Sequence, residues 1–398
     1  MIFRKCKRLA RKYWSKLTGK EVKPVETPDI LHDALVDIGI PNAISFSYDT
    51  QKEKTLSFVS SMKAETPYEY LYSSSMNQCN IYNSVYACML YGLFNETSKL
   101  SAEEKQAWVD YFNNYQNPDD GLFYDDRIDG DFFRTCNWWG AEHLCPHIIN
   151  AYGVLGARPQ FEFTWVKKYY DLEVLKALLD ECDWNSAIPN ENDIDNRIMN
   201  VGVMLQYQRD FWMDKKAGKA VEYLENYLRE RLHPDTGMWG AYDVNDADQL
   251  ARMIQFSYHL YRIFIYDNEK LLNPKRMIDL IIRSQNKYGG FGYSLNSSAC
   301  EDIDAIDLLI YASKQTEYRK VDIYRTLALA QVFIFANQNE DGGSVFRRDE
   351  DFAYGHNLLY SDKNQSGMFP TWFRALCTAY IAQFMGDTNY KFEHIPGY

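Results

Sequence analysis

The chain lacks most of the signals by which a sequence declares a particular chemistry. No run of eighteen or more apolar residues occurs, so no segment reads as a membrane-spanning helix. Neither a G-x-x-x-x-G-K-[ST] nor a G-x-G-x-x-G loop is present to cradle a phosphate, so no nucleotide cofactor is expected. A G-x-S-x-G elbow for a serine nucleophile is missing too. The eight cysteines form no C-x-x-C pair and follow no regular spacing. That pattern reads as a reduced, cytoplasmic protein rather than a disulfide scaffold. Strand signals are few: alternating runs are short, and no Asn-Gly hairpin turn occurs.

What is present is a large apolar and aromatic content in 398 residues, 46% hydrophobic with 31 Tyr and 9 Trp. So many rings fill a core or line a pocket. Charge is unevenly placed. Residues 1–20 hold eight Lys/Arg and no acid, which leaves the rest of the chain at −20. Phe3, Cys6, Leu9, Ala10, Tyr13, Trp14 and Leu17 recur there at helical spacing. Residues 1–22 are therefore expected to form a basic amphipathic helix. Such a helix either docks on the body or lies on an anionic membrane, here the inner face. No uninterrupted apolar core follows the basic residues, which argues against a signal peptide. The acidity of residues 23–398 argues against nucleic acid as a partner.

Four turns repeat. "NYQNPDDGLFYD", "HPDTGMWGAYD", "SQNKYGGFG" and "NQNEDGGSVFRRD" each carry Gln or His a few residues before Gly121, Gly237, Gly289 or Gly342. Each sits between segments with apolar residues at i, i+3, i+4 spacing. The gap from Gly121 to Gly237 is close to two periods, which points to a degenerate unit near 182–196. The periodicity predicts six helical hairpins, over 28–100, 102–158, 162–213, 216–267, 273–316 and 320–388. Six units favour closure into one all-α (α/α)6 toroid domain over 23–398, because a closed ring exposes no end repeat.

The Q-x-x-x-G-G-F-G turn followed by an acidic helix start resembles the repeat of the terpenoid cyclase and protein prenyltransferase superfamily. The match is best over 273–316. The resemblance implies a central cavity and a hydrophobic or lipid-linked substrate, in keeping with the basic N-terminal segment. It also implies a working carboxylic acid in "DIDAID", although Ala305 and Ile306 replace the last acid and the threonine of the cyclase motif. The prenyltransferase side of the family implies a metal, zinc or magnesium, with Cys300, Asp302 and His356 as ligands. Cys300 and Asp302 stand in reversed order for that motif.

The residues themselves allow a further division. Ser298 and Glu301 form a capping box, and acids are favoured in a first helical turn. At 100° per residue Asp302 shares a face with Ile306 and Leu309, whereas Asp304, Asp307 and Tyr311 share the opposite one. Either Asp302 is buried and capped, or it is the cavity acid; the pair Asp304/Asp307 has the complementary fate. His143 and His147 are placed i, i+4, with Pro146 marking a nearby helix start, and with Trp138 and Trp139 as a candidate stacking wall. Trp239, Phe291, Arg252 and Tyr311 complete the candidate substrate-binding set. Asp302, Asp304, Asp307 and His143 are the candidate catalytic residues; Asp119, Asp120, Asp243 and His259 are also available. A cyclase predicts a dry aromatic cavity with one or two acids. The alternative, a carbohydrate-active toroid (lyase, epimerase or hydrolase), predicts an open, wet site with several carboxylates and exposed tryptophans. A non-catalytic scaffold predicts a plugged cavity.

Overall fold

The computed structural model describes residues 47–128, 130–135, 139–186 and 193–398. The basic segment 1–22, the start of the first hairpin and Trp138 lie outside the described residues. Six hairpins follow one another. The first pairs α1 (Tyr48–Ser61) with α2 (Ile81–Leu93), and the second pairs α3 (Ala102–Asn113) with α5 (Ala141–Val154), the short α4 (Gly130–Thr135) lying between them. In the third, a 3-10 segment Thr164–Tyr170 leads into α6 (Leu172–Asp180), which pairs with α7 (Ile194–Phe211). The remaining three pair α8 (Lys215–Arg229) with α9 (Ala247–Tyr266), α10 (Pro274–Ser284) with α11 (Ala299–Ser313), and α12 (Lys320–Ala336) with α13 (Met368–Phe384). Between α12 and α13 runs a two-residue ribbon, β1 (Phe352–Ala353) antiparallel to β2 (Tyr360–Ser361).

The second helix of each hairpin contacts the second helix of the next: α2, α5, α7, α9, α11 and α13 form a ring, and α13 packs back onto α2. This is an (α/α)6 toroid. The first helices form the outer layer, α10 against α9 and α11, and α12 against α11 and α13. Inner helices contact neighbours on nearly every side, and α11 is buried from Ala299 to Tyr311 apart from Cys300. Such a helix carries apolar residues all round rather than one stripe.

The repeated turn explains how the units are joined. Gln285 donates through Nε2 to the Gly289 carbonyl (2.9 Å) and to the Thr326 carbonyl of the next outer helix (2.8 Å). Gln116 makes the same pair of bonds to Gly121 (2.9 Å) and Phe161 (2.8 Å). Gln338 reaches Gly342 (3.0 Å) and Gln51 of α1 (3.3 Å), which closes the last unit onto the first. Each glycine lies against the backbone of the unit it grips. A Cβ added at Gly121, Gly289 or Gly342 would come within 2.0, 2.2 or 1.9 Å of the carbonyl oxygen of Glu162, Leu329 or Lys54. Only glycine permits that approach.

Pro146 does not mark a helix start. Helix α5 begins a turn earlier at Ala141, and Pro146 sits inside it, removing one intrahelical bond. Residues 387–398 then run back beneath the ring. Lys391 N–H bonds the Leu93 carbonyl (3.0 Å), and Ile395 fills the space over Gly153. His394 stacks on Tyr266 with centroids 4.6 Å apart. Leu93 ends α2, Gly153 lies in the last turn of α5, and Tyr266 ends α9.

Candidate active site

A cavity of about 460 Å³ opens at the centre of the ring. Its walls come from the first two turns of α5 (His143, His147), α7 (Asp195, Met199), α11 (Cys300, Glu301, Asp304) and α13 (Phe369, Phe373), and from a longer stretch of α9, Arg252 to Arg262. The N-termini of these inner helices therefore face one end of the ring. Their positive dipole ends favour carboxylates placed in the first turn.

Helix geometry separates the acids of α11. Asp302 and Asp304 are two residues apart, about 200° around the helix. Asp302 turns away from the cavity into a wholly buried site. It accepts from the Phe291 N–H (2.8 Å) and the Ser297 hydroxyl (2.8 Å) and pairs with Arg374, whose guanidinium also donates to the Ser297 and Phe346 carbonyls. Asp307 is engaged by the buried Arg262. Asp304 alone of the three lines the cavity. Burial holds its carboxyl well above the usual range, and the negative Glu301, Asp195 and Asp302 add to this against the pull of His259. The surroundings of Asp304 thus favour its protonated form.

Asp195, in the first turn of α7, lines the same cavity. Its Oδ2 takes a 2.7 Å bond from His259 Nδ1 of α9, whereas Oδ1 is buried and makes no hydrogen bond among the described residues. Burial alone would lower the His259 pKa, but Asp195, with Asp304 and Asp193 nearby, outweighs it and raises the value. Glu301 closes the capping box with Ser298 (2.6 Å to the Ser298 N–H) and accepts from Arg347 (2.9 Å). It therefore serves as helix cap and cavity wall together. Arg347 Nε is buried with no partner among the described residues.

His143, His147, Tyr354 and Tyr398 line a further part of the cavity, with Tyr398 next to the crossing segment 387–398. The two imidazoles lie 4.8 Å apart between centroids. Burial pushes His147 down to about 3, and burial with the neighbouring His147 and His259 holds His143 well below the usual imidazole range, so both are neutral. His147 Nδ1 bonds the Tyr398 hydroxyl.

Other sequence candidates lie elsewhere. Trp239 is buried, its indole N–H bonded to the Leu228 carbonyl (2.8 Å). Phe291 is a core residue, and Tyr311 donates to the Glu269 carbonyl away from the cavity. Trp139 is buried and stacks on Tyr82 and on His356 of the β1–β2 turn. Asp120 and Asp243 accept bonds within their own turns. The metal set is not assembled: Cys300 lines the cavity, Asp302 points to Arg374, and His356 stacks on Trp139. No metal-ligand cluster occurs among the described residues. Burial also raises the Cys300 thiol pKa, disfavouring the thiolate that zinc would need. Arg252 and His143 do reach the cavity. Asp195, Asp193, Arg347, Tyr293 and Tyr398 line it as well, and none of them stood out in the sequence.

No known protein family matches the chain, and no curated protein sequence matches it. Among solved structures it is similar to a GH76 α-mannanase of Bacteroides thetaiotaomicron, at 11% identity over 90% of this chain and 98% of that one, with a TM-score of 0.44. It is also similar to an aspartate-to-asparagine variant of an unsaturated glucuronyl hydrolase from Streptococcus agalactiae, at 11% identity over 94% and 100% of the two chains (TM-score 0.48). The same variant complexed with dGlcA-GalNAc6S matches over 91% and 98%, with a TM-score of 0.44.

Two expectations are corrected here. The resemblance to terpenoid cyclases and prenyltransferases is supported as far as the helical ring, and nothing finer in it gains support. A hydrophobic or lipid-linked substrate does not suit a wall bearing Asp193, Asp195, Asp304, Glu301, Arg252 and Arg347, since covering so many charged and polar groups with an apolar ligand is costly. Membrane contact rested on residues 1–20, outside the described residues, and gains no support; no described helix is long and apolar enough to cross a membrane.

Proposed function

We propose that the protein is a carbohydrate-active enzyme that cleaves a glycosidic bond in the central cavity. The observation that carries this reading is the pairing of unlike carboxyl groups. Asp304 is a buried carboxyl lining the cavity whose surroundings favour its protonated form, and Asp195 has one oxygen held by His259 and a second that makes no hydrogen bond among the described residues. Glycoside cleavage needs such a pair: an acid to protonate the leaving oxygen, and a carboxylate to activate water or attack the anomeric carbon. Asp304 is assigned the first role, Asp195 the second and His259 the positioning of Asp195. The polar rim suits a hydroxyl-rich ligand, and tyrosines (242, 258, 293, 354, 398) take the place of the exposed tryptophans expected from the sequence.

A second reading rests on the cavity floor. Neutral His143 beside Tyr354 is a base and acid pair suited to proton abstraction next to a uronate carboxylate, which would make the enzyme a lyase. One experiment separates the two. The wild type, Asp304→Asn, Asp195→Asn and His143→Gln are incubated with α-mannan, β-glucan, xylan, pectin and hyaluronan oligosaccharides. Reducing sugar and the ultraviolet absorbance of unsaturated product are followed. Hydrolysis predicts saturated products and a loss of two or more orders of magnitude in both aspartate variants. Unsaturated products lost in His143→Gln favour the lyase, and equal turnover by all four proteins rejects both.

A further inference from the structure

We infer that the cavity is a blind pocket that takes the end of a glycan chain, so that the enzyme is exo-acting; this rests on the carbohydrate reading above. One end of the ring, where the inner helices begin, is open: the Arg252 side chain is 49% exposed and Tyr293 is 58% exposed there. The other end, where α2, α5 and α9 finish, is crossed by residues 387–398. That crossing is anchored at several points. Lys391 is bonded to Leu93, Ile395 is seated over Gly153, His394 is stacked on Tyr266, and the Arg262 Nε–H donates to the Gly397 carbonyl (3.2 Å). The side chain that meets the cavity is Tyr398, half-buried, bonded to His147 and packed edge-on to Trp372. A polymer entering at Arg252 and Tyr293 therefore meets a wall of histidine and tyrosine instead of an exit.

Size leads to the same conclusion. About 460 Å³ lies in the range of pockets that enclose a ligand of drug or disaccharide size, roughly 300–1,000 Å³. Along α9, His259 with its partner Asp195 lies between Arg252 at the mouth and Arg262 at the Gly397 carbonyl, so one terminal sugar fills the half beyond Asp195 and the rest of the chain leaves past the rim. Tyr293, the exposed ring at that rim, offers the face on which the first sugar outside the pocket stacks.

The test uses the full chain and oligosaccharide ladders of two to six sugars from the five glycans named above. Each ladder is supplied free, reducing-end-tagged with 2-aminobenzamide, or blocked at the non-reducing end by a bulky ketal. Expected are loss of one terminal unit at a time from the earliest time point, and abolition of cleavage by one of the two end blocks. Mid-length fragments at early times, or cleavage that survives both blocks, overturn the inference while leaving the glycosidase reading intact. If no ladder is cut, that reading fails, and calorimetry on Asp304→Asn with the same ladders decides the pocket. Affinity that levels off beyond two or three sugars supports a blind pocket, whereas affinity that climbs to six, or no binding of any ladder, overturns it. Tyr293→Ala is expected to weaken binding of the longer ladders by roughly three- to tenfold and to leave the shortest unchanged.

Discussion

Arg374 of α13 and Asp302 of α11 form an ion pair in which each side chain is 1% exposed. The pair joins two adjacent inner helices next to the cavity without facing it. Asp302→Asn removes one partner and leaves a buried guanidinium, a change that destabilises by about 3–5 kcal/mol. We expect a large fall in melting temperature, with turnover per folded molecule retained, and partial recovery in the double variant Asp302→Asn/Arg374→Met. Circular dichroism melts alongside active-site titration check this.

Asp304→Asn has the opposite profile. It keeps the shape and removes the proton, so turnover falls by two or more orders of magnitude. The folded pKa of Asp304 is raised above its unfolded value, so its favourable contribution is complete below the ordinary carboxylate pKa. That contribution is lost as pH rises through the folded value. The variant should therefore be less sensitive to alkaline pH than the wild type in melting experiments. The alkaline limb of the wild-type rate profile should also lie above the ordinary carboxylate range.

His259 acts through Asp195. His259→Ala frees the carboxylate to rotate and is expected to lower kcat by about a hundredfold with little change in KM, and added imidazole should restore part of the rate. A purely structural His259 would give a stability loss and no rescue.

Gly342→Ala drives a Cβ to 1.9 Å from the Lys54 carbonyl at φ +89°. Backbone strain and overpacking together should destabilise by about 3 kcal/mol or more. Gly386→Ala, at φ +97° with nothing within 4 Å, carries the strain alone, and about 1 kcal/mol is expected. Equal losses in denaturant titrations would mean that the seam between the last and first units is not tight.

Glu142, beside the catalytic wall on α5, offers a check on pH dependence. Burial pushes its carboxyl up to about 7 against the pull of Lys168 and Arg197. The native state thus holds the proton more firmly than the unfolded chain, a stabilisation present at low pH and lost as pH rises through 7. Melting temperature should decline between pH 5 and 8, and Glu142→Gln should flatten that decline.

The ring was legible because it is built from a local signal repeated. The turns at Gly121, Gly237, Gly289 and Gly342 and the apolar periodicity around them place the last five hairpins within a few residues of their observed positions, whereas the start expected for the first, at residue 28, lies outside the described residues. Helical period also stated the choice between Asp302 and Asp304, two residues lying on opposite faces. It could not settle which face looked inward, because that depends on Arg374, seventy-two positions away. Asp195 went unseen for a similar reason. On its own it is one acid among several in "NENDIDN", and only the approach of His259 from α9 sets it apart. The aromatic residues misled for a different reason: the tryptophans Trp139 and Trp239 fill the core, and the less conspicuous tyrosines reach the cavity.

The grip of Gln338 on Gln51 spans 287 positions, whereas the equivalent grip of Gln285 on Thr326 spans 41. Loop-closure entropy grows only logarithmically, so the sevenfold longer loop adds about 2 kcal/mol to the closing step. That is small for a protein of this size, so closing the ring costs little more than joining any two neighbouring hairpins. With the latch made, no hairpin of the ring is an end unit with a bare flank, and the toroid is a wheel with no end from which to fray.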